Sequence, residues 1–184
     1  MDYYVEITVL PDPEFEEQVL LNALFSKFHR GMGQTVPGEV GISFPEVAKR
    51  LGSVLRLHGN ESSLNQLMAE NWLKGMRDYC QVGEVHPVPE VVQYRTVRRV
   101  QAKSAWNKRK RSIAKGWLTE AEAPAKIPDS QQKNLKHVPF LQIKSLSNGN
   151  PMRIYIEHGA LKDDPVAGTF NSYGLSATAT IPWF

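Results

Sequence analysis

The sequence predicts an α+β protein, with an N-terminal ferredoxin-like βαββαβ domain (residues 1–93) followed by a smaller α/β domain (residues 94–184) carrying a basic helix and an antiparallel hairpin. Three observations predict it. Over the first ninety residues, apolar patterns of period two and period 3.6 follow one another in the order strand, helix, strand, strand, helix, strand. In the second half, Asn148-Gly149 joins two alternating runs, a strong hairpin signal. Charge also changes sign at the boundary. Residues 1–93 carry a balance of −6 and residues 94–184 one of +9, recovering the net +3 of the 184-residue chain.

The elements follow in order. Tyr3–Leu10 alternates as a half-buried strand. Pro11-Asp12-Pro13 breaks it and starts a helix, with Glu14, Glu16 and Glu17 in the first turn, where the helix dipole favours anions. Leu20, Leu21, Leu24, Phe25 and Phe28 give that helix one apolar face, and Gly31 and Gly33 are expected to end it near His29. Val40–Phe44 and Val54–His58 read as strands. Asn60 can cap a second helix through Leu64, Leu67 and Met68, extending beyond Trp72. Val82–Val88 is the expected fourth strand. Further on, Ala105–Lys115 reads as a short basic helix stopped by Gly116, and Thr119-Glu120-Ala121-Glu122 fits a capping box. Phe140–Ser147 and Met152–Glu157 form the hairpin, and short strands are expected around Gly168–Tyr173 and Thr178–Trp183.

Composition narrows the function classes. Apolar residues at 41% and charges at 22% are ordinary for a globular protein, excluding disordered, collagenous and coiled-coil classes. No apolar run approaches the roughly 18 residues of a membrane span. The acidic, alternating start does not read as a signal peptide, so a cytoplasmic protein without membrane contact is expected. The single cysteine, Cys80, permits no internal disulfide.

Within Tyr94–Trp117 stand nine basic residues (Arg95, Arg98, Arg99, Lys103, Lys108, Arg109, Lys110, Arg111 and Lys115) and no acid. Such a segment in a nearly neutral chain points to a localised polyanion site. Arg111 and Lys115 share a helical face that can neutralise phosphates along a groove. A solvated helix face or a localisation signal is the plain alternative. Arg99 and Gln101, two apart, share one face if extended and can reach neighbouring base edges.

His29 closes the apolar helix beside Phe28 and is either a proton-transfer group or a capping histidine. Ser145 and Ser147 continue the face of Leu141 and Ile143, where an apolar side turns polar. Tyr173 is either a core aromatic or a site residue. The five histidines are scattered and no Asp-x-Asp cluster occurs, so no metal and no cofactor are expected. If the chain is a nuclease, its chemistry is expected to need no metal, since RNA supplies its own nucleophile in the 2′-hydroxyl.

Placed together, these residues resemble the CRISPR-associated endoribonucleases of the type I-F system, the Csy-type enzymes that process precursor CRISPR RNA. The resemblance runs through Pro11-Asp12-Pro13-Glu14-Phe15, Leu24-Phe25-x-Lys27-x-His29, Gly41-Ile42-Ser43-Phe44-Pro45 and Arg99-Val100-Gln101-Ala102-Lys103-Ser104. It continues in Ile127-Pro128-Asp129, His158-Gly159, Tyr173-Gly174-Leu175-Ser176 and Pro182-Trp183-Phe184. It implies one metal-independent cut at the 3′ base of a repeat RNA stem-loop, leaving a 2′,3′-cyclic phosphate. It also implies retention of the product within a type I-F surveillance complex of several subunits. By the resemblance, His29 is the catalytic histidine, Ser145 constrains the 2′-hydroxyl and Tyr173 positions the histidine. Arg99 and Gln101 read bases at the foot of the stem, and Arg111 and Lys115 contact stem phosphates. Lys103, Lys108, Arg109, Lys110 and Ser147 complete the expected RNA surface, and Met152 stands where a family member has a phenylalanine stacking under the terminal base pair. A non-catalytic subunit that merely holds guide RNA is the rival reading.

Overall fold

In the computed structural model, which describes residues 1–101, 104–131, 135–144 and 149–184, strand β1 (Tyr3–Val9) buries Val5, Ile7 and Val9 and leaves the residues between them half-exposed. This is the period-two pattern of its sequence. The following helix starts later than its acidic residues suggest. Asp12 Oδ1 accepts from the backbone N–H groups of Glu14 (2.8 Å) and Phe15 (2.9 Å), closing a local turn that competes with the helix. Helix α1 therefore spans Glu17–Thr35.

Its far end corrects a second expectation. Neither Gly31 nor Gly33 ends α1, so His29 lies within the helix rather than at its terminus. The reason is packing. A β-carbon on Gly31 would fall 2.9 Å from Trp72 Cβ, so this glycine gives the indole room to lie against the helix. Tertiary contact here overrides the roughly 1 kcal/mol helix penalty of a glycine.

Strands β2 (Gly41–Ser43) and β3 (Val54–Gly59) form an antiparallel pair, and β3 pairs in turn with β1. Helix α2 (Glu61–Ala69) begins as expected, with Asn60 Oδ1 accepting from Ser63 N at 2.7 Å. It stops at Ala69, and Trp72 sits instead in a 3₁₀ turn (Asn71–Leu73) with its indole N–H donating back to Leu67 O at 3.0 Å. The fourth strand is split into β4 (Cys80–Val82) and β5 (His86–Pro87), both on β1, with Gly83 N donating to Glu6 O between them. The extra residue makes a bulge-like break that one apolar run does not reveal. The sheet order is β2-β3-β1-β4, every neighbour antiparallel.

The second half adds two small sheets. Strand β6 (Gln93–Arg95) pairs with the last strand, and β7 (Val97–Val100) leads to helix α3 (Ala105–Ala114). Ser104 caps α3 by accepting from Asn107 N at 3.1 Å. At the other end Gly116 takes φ of +69°, and its N–H donates to Ile113 O while that of Trp117 reaches Ser112 O, a Schellman closure. The capping box forms, with Glu122 and Thr119 exchanging side-chain to backbone bonds before the single turn α4 (Ala123–Lys126). Strands β8 (Phe140–Lys144) and β9 (Pro151–His158) make the hairpin, pairing Phe140 with Tyr155 through Lys144 with Pro151, and β7 joins them in the order β7-β9-β8. Residues 168–173 are not a strand. The Asn171 side chain holds them in a turn described below. The last strand is only β10 (Ile181–Trp183), on β6.

One core runs through both halves: Leu141, Ile143, Ile154, Ile156, Phe170, Leu175 and Ile181 pack with the α1 and β1–β3 residues. Gly41 marks a tight contact, since a β-carbon there would meet Phe170 and Ile181 at under 3 Å. The consequence for the site is positional. One face of α1 is buried, and its next face looks onto β8, where Asn22 Oδ1 accepts from Gln142 N at 2.9 Å.

Candidate active site

His29 sits at the rim of the buried face of α1: Phe28 before it is fully buried, Arg30 after it is exposed, and His29 is half-buried. Facing it is the loop 171–175. Asn171 Oδ1 accepts from Tyr173 N (2.9 Å) and Leu175 N (3.2 Å), and Gly174 N donates to Asn171 O (2.9 Å), so the loop is closed on itself. Gly174 has φ of +70°, and a β-carbon there would come within 2.8 Å of Ile42 Cγ2 and 3.3 Å of Phe28 Cε1. Only glycine lets the loop lie against α1. Two backbone bonds fix it further, Ile42 N to Gly174 O and Ser176 N to Val97 O, each 2.9 Å.

That fixation sets the chemistry of the histidine. Nδ1 of His29 is hydrogen-bonded to the Ser172 carbonyl oxygen. A carbonyl only accepts, so Nδ1 carries the proton and Nε2 of the neutral ring carries the lone pair. Nε2 has no hydrogen-bond partner among the described residues. The adjacent Tyr173 ring stacks on the imidazole, centroids 4.4 Å apart and planes at 26°. Phe25, fully buried, lies nearly parallel to Tyr173 at 6.2 Å. Arg99 on β7 places its Cζ 5.5 Å from the Tyr173 centroid, and its Nε is buried without a partner among the described residues. Phe25, His29, Tyr173 and Arg99 thus form one packed group.

His29 also lines a cleft of about 620 Å³ between α1 and the hairpin, with Asn22, Ser26, Arg30, Gln142, Lys144 and Pro151 among its walls. Its lining contains two cations and no carboxylate, a setting suited to a phosphate. Ser145, Ser147 and Lys103, expected as site residues, and Asn148 of the expected hairpin turn lie outside the described residues. Met152 is half-buried opposite Ile143 and packs on the core. Gln101 is exposed just past the end of β7, two residues from Arg99.

The basic segment divides by use. Arg95 donates twice to Gly159 O (2.9 and 2.7 Å) and lies over Trp183, and burial lowers its pKa. Arg98 pairs with Glu157, and Arg109 is held by Ile127 O (3.0 Å) and Asp129 (2.9 Å), tying α3 to the segment after α4. Lys108, Lys110, Arg111 and Lys115 make no ion pair among the described residues, and the last three are exposed. Arg111 and Lys115 are one turn apart, Lys115 N donating to Arg111 O at 3.1 Å.

The other histidines do different work. His58 is fully buried, Nε2 bonded to Ser43 Oγ at 2.8 Å, and burial together with Arg56 and the N-terminal amine pushes its pKa down to about 3. Burial and Arg95 push His158 down to about 4. Among the described residues, no three or more His, Cys, Asp or Glu side chains gather as metal ligands. No helix is long and apolar enough to cross a membrane among them. Sequence reasoning missed Phe25 and the Ser172 carbonyl. A backbone oxygen leaves no residue signature, although Asn171 with Gly174 is a turn signal that can locate it.

Comparison with known proteins gives a consistent picture. The profile of the family described as "CRISPR-associated protein (Cas_Csy4)" matches residues 4–184. The chain is 50% identical, over the full length of both proteins, to a CRISPR-associated endonuclease Cas6/Csy4 of Escherichia coli (strain UTI89 / UPEC). It is 40% identical, again over the full length of both, to a CRISPR-associated endonuclease Cas6/Csy4 of Pseudomonas aeruginosa (strain UCBPP-PA14). A solved structure described as CRISPR endoribonuclease Cse3 bound to 19 nt RNA aligns over 99% of the chain at 17% identity with a TM-score of 0.41.

Proposed function

This chain belongs to the CRISPR-associated Csy4 family, and on that premise we propose that it is an endoribonuclease that cuts precursor CRISPR RNA once, at the 3′ base of a repeat stem-loop. The observation that carries the reading is the tautomer of His29. With Nδ1–H spent on the Ser172 carbonyl and the ring held by Tyr173, Nε2 is a fixed lone pair on a histidine that lines a cationic cleft. That nitrogen takes the proton of a ribose 2′-hydroxyl as its oxygen attacks the adjacent phosphorus in line. The bond to the downstream 5′-oxygen breaks, leaving a 2′,3′-cyclic phosphate on the upstream fragment, and the released oxygen takes a proton from solvent to become a 5′-hydroxyl. No metal or cofactor enters this scheme. Ser145 orients the attacking hydroxyl in the same proposal.

The division of labour follows the two halves of the chain. Residues 1–93 present the histidine on α1, and residues 94–184 supply the RNA surface. Arg99 and Gln101 read bases at the foot of the stem. Arg111 and Lys115 hold its phosphates, with Lys103, Lys108, Lys110 and Ser147 on the same RNA surface. Arg109 belongs to this surface through its fixing of α3, and Met152 packs beneath the stem. The cut RNA stays bound, and the protein with it enters a type I-F surveillance complex in the cytoplasm.

The test is a cleavage and binding assay with His29→Ala on a repeat hairpin. Cutting is expected to be lost while affinity stays near wild type, because affinity comes from the basic segment. A mutant that cuts at the wild-type rate contradicts the assignment.

A further inference from the structure

Two tryptophans, one in the first turn of the basic helix and one just past its end, are exposed in a way that packing does not explain: Trp106 is 60% exposed and Trp117 69%. Each is covered by a lysine rather than by protein core, Lys110 Nζ at 5.2 Å from the Trp106 centroid and Lys115 Nζ at 4.5 Å from that of Trp117. Trp106 also lines a groove of about 500 Å³ between α3 and α4, together with the apolar Ile113, Ala123 and Pro124 and the cations Arg109 and Lys110. A large aromatic face beside apolar side chains and cations matches one kind of ligand, a flat base with a phosphate attached. The surrounding charge agrees, since no acid lies between Tyr94 and Trp117 and Glu120 is the one carboxylate of the groove lining.

Resting on the RNA-binding reading above, we infer that this groove receives an unpaired nucleotide of the bound RNA, its base stacking on Trp106 and its phosphate taken by Lys110. The lysine holds the ring face in the unbound protein and moves to the phosphate when the base arrives. A paired base offers no free face, so the nucleotide comes from the hairpin loop or from the strand flanking the stem.

The experiment measures affinity of wild type, Trp106→Ala and Trp106→Phe for four RNAs. These are the flanked hairpin, the hairpin without flanks, the flanked hairpin with its loop replaced by a non-nucleotide linker, and the linker-closed stem alone. Stacking on one aromatic side chain is worth about 5- to 150-fold in affinity. Trp106→Ala is expected to lose affinity in that range for the RNAs that retain the responsible loop or flank, and Trp106→Phe to keep most of it. The stem alone should bind wild type and Trp106→Ala equally. Equal affinities of the two for all four RNAs would overturn the inference and leave the groove to a protein surface. A uniform loss that includes the stem alone would also overturn it. If wild type bound no hairpin, the RNA reading itself would fall, and this inference with it.

Discussion

The rings of His29 and Tyr173 lie face to face with centroids 4.4 Å apart, so the imidazole that lines the cleft is held by a side chain from a loop 144 positions further along the chain. The neighbouring Ser172 carbonyl fixes the same ring through Nδ1. Orientation and tautomer are therefore set by one turn, and that turn is set by Asn171 and Gly174.

If His29 is the proton acceptor proposed above, the ring of Tyr173 is expected to matter to cleavage more than its hydroxyl. Aromatic pairs of this kind contribute about 0.5–1.5 kcal/mol. Tyr173→Phe is expected to cut the hairpin close to the wild-type rate and Tyr173→Ala several-fold to tenfold more slowly, at unchanged RNA affinity. Single-turnover rates check this. A Phe variant as slow as the Ala variant would assign the work to the hydroxyl.

The two glycines inside α1 give opposite predictions from one helix. Gly33 has open space where a β-carbon would go, so Gly33→Ala is expected to stabilise the protein by up to about 1 kcal/mol. Gly31 faces Trp72 at 2.9 Å, and Gly31→Ala is expected to destabilise it by about 1–3 kcal/mol. Denaturant unfolding of the two variants decides. Stabilisation by both would mean that Trp72 moves aside freely.

Those glycines also show what was legible in the sequence. The first three strands, the cap at Asn60, the basic helix stopped at Gly116 and the pairing of the two hairpin strands were readable, because each rests on local periodicity or local turn chemistry. The full length of α1 was not, because the partner that keeps Gly31 helical lies 41 positions away. The split of the fourth strand and the turn at 171–175 escaped for a related reason: a bulge and an asparagine-closed loop are choices among local alternatives that the rest of the fold makes. In the candidate site, His29, Tyr173 and Arg99 were legible singly. That they share one stack was not.

Base reading and phosphate holding separate in a second pair of variants. Arg99→Ala is expected to lose about 1–3 kcal/mol of discrimination between cognate and base-swapped stem feet, as a bidentate base contact does. Arg111→Ala is expected to weaken all stems alike and to reduce the salt dependence of binding. Affinities for cognate and swapped hairpins at two salt concentrations check both. An equal loss on the two hairpins for Arg99→Ala would remove its reading role.

Acid should unfold the protein through histidines that have no catalytic part. His58 and His158 stay neutral in the fold, with pKa values near 3 and 4, whereas in the unfolded chain each titrates near 6.5. The unfolded state therefore binds more protons below about pH 6.5. Stability is complete above that value and is lost as pH falls toward 4, by about 1.4 kcal/mol per pH unit for each histidine. Denaturant unfolding at pH 7 and pH 5 should show the drop. A flat profile would mean that neither ring is buried in its neutral form.

In the proposed reaction the RNA supplies its own nucleophile and His29 takes its proton. The most direct measurement replaces the single ribose upstream of the scissile phosphate by 2′-deoxyribose in an otherwise unchanged repeat hairpin and follows cleavage with excess EDTA. The all-ribose hairpin is expected to be cut under these conditions to a 2′,3′-cyclic phosphate end, and the deoxy hairpin to bind but stay intact. Cleavage of the deoxy hairpin, or loss of all cleavage in EDTA, would show water or a metal-bound species to be the nucleophile and would contradict it.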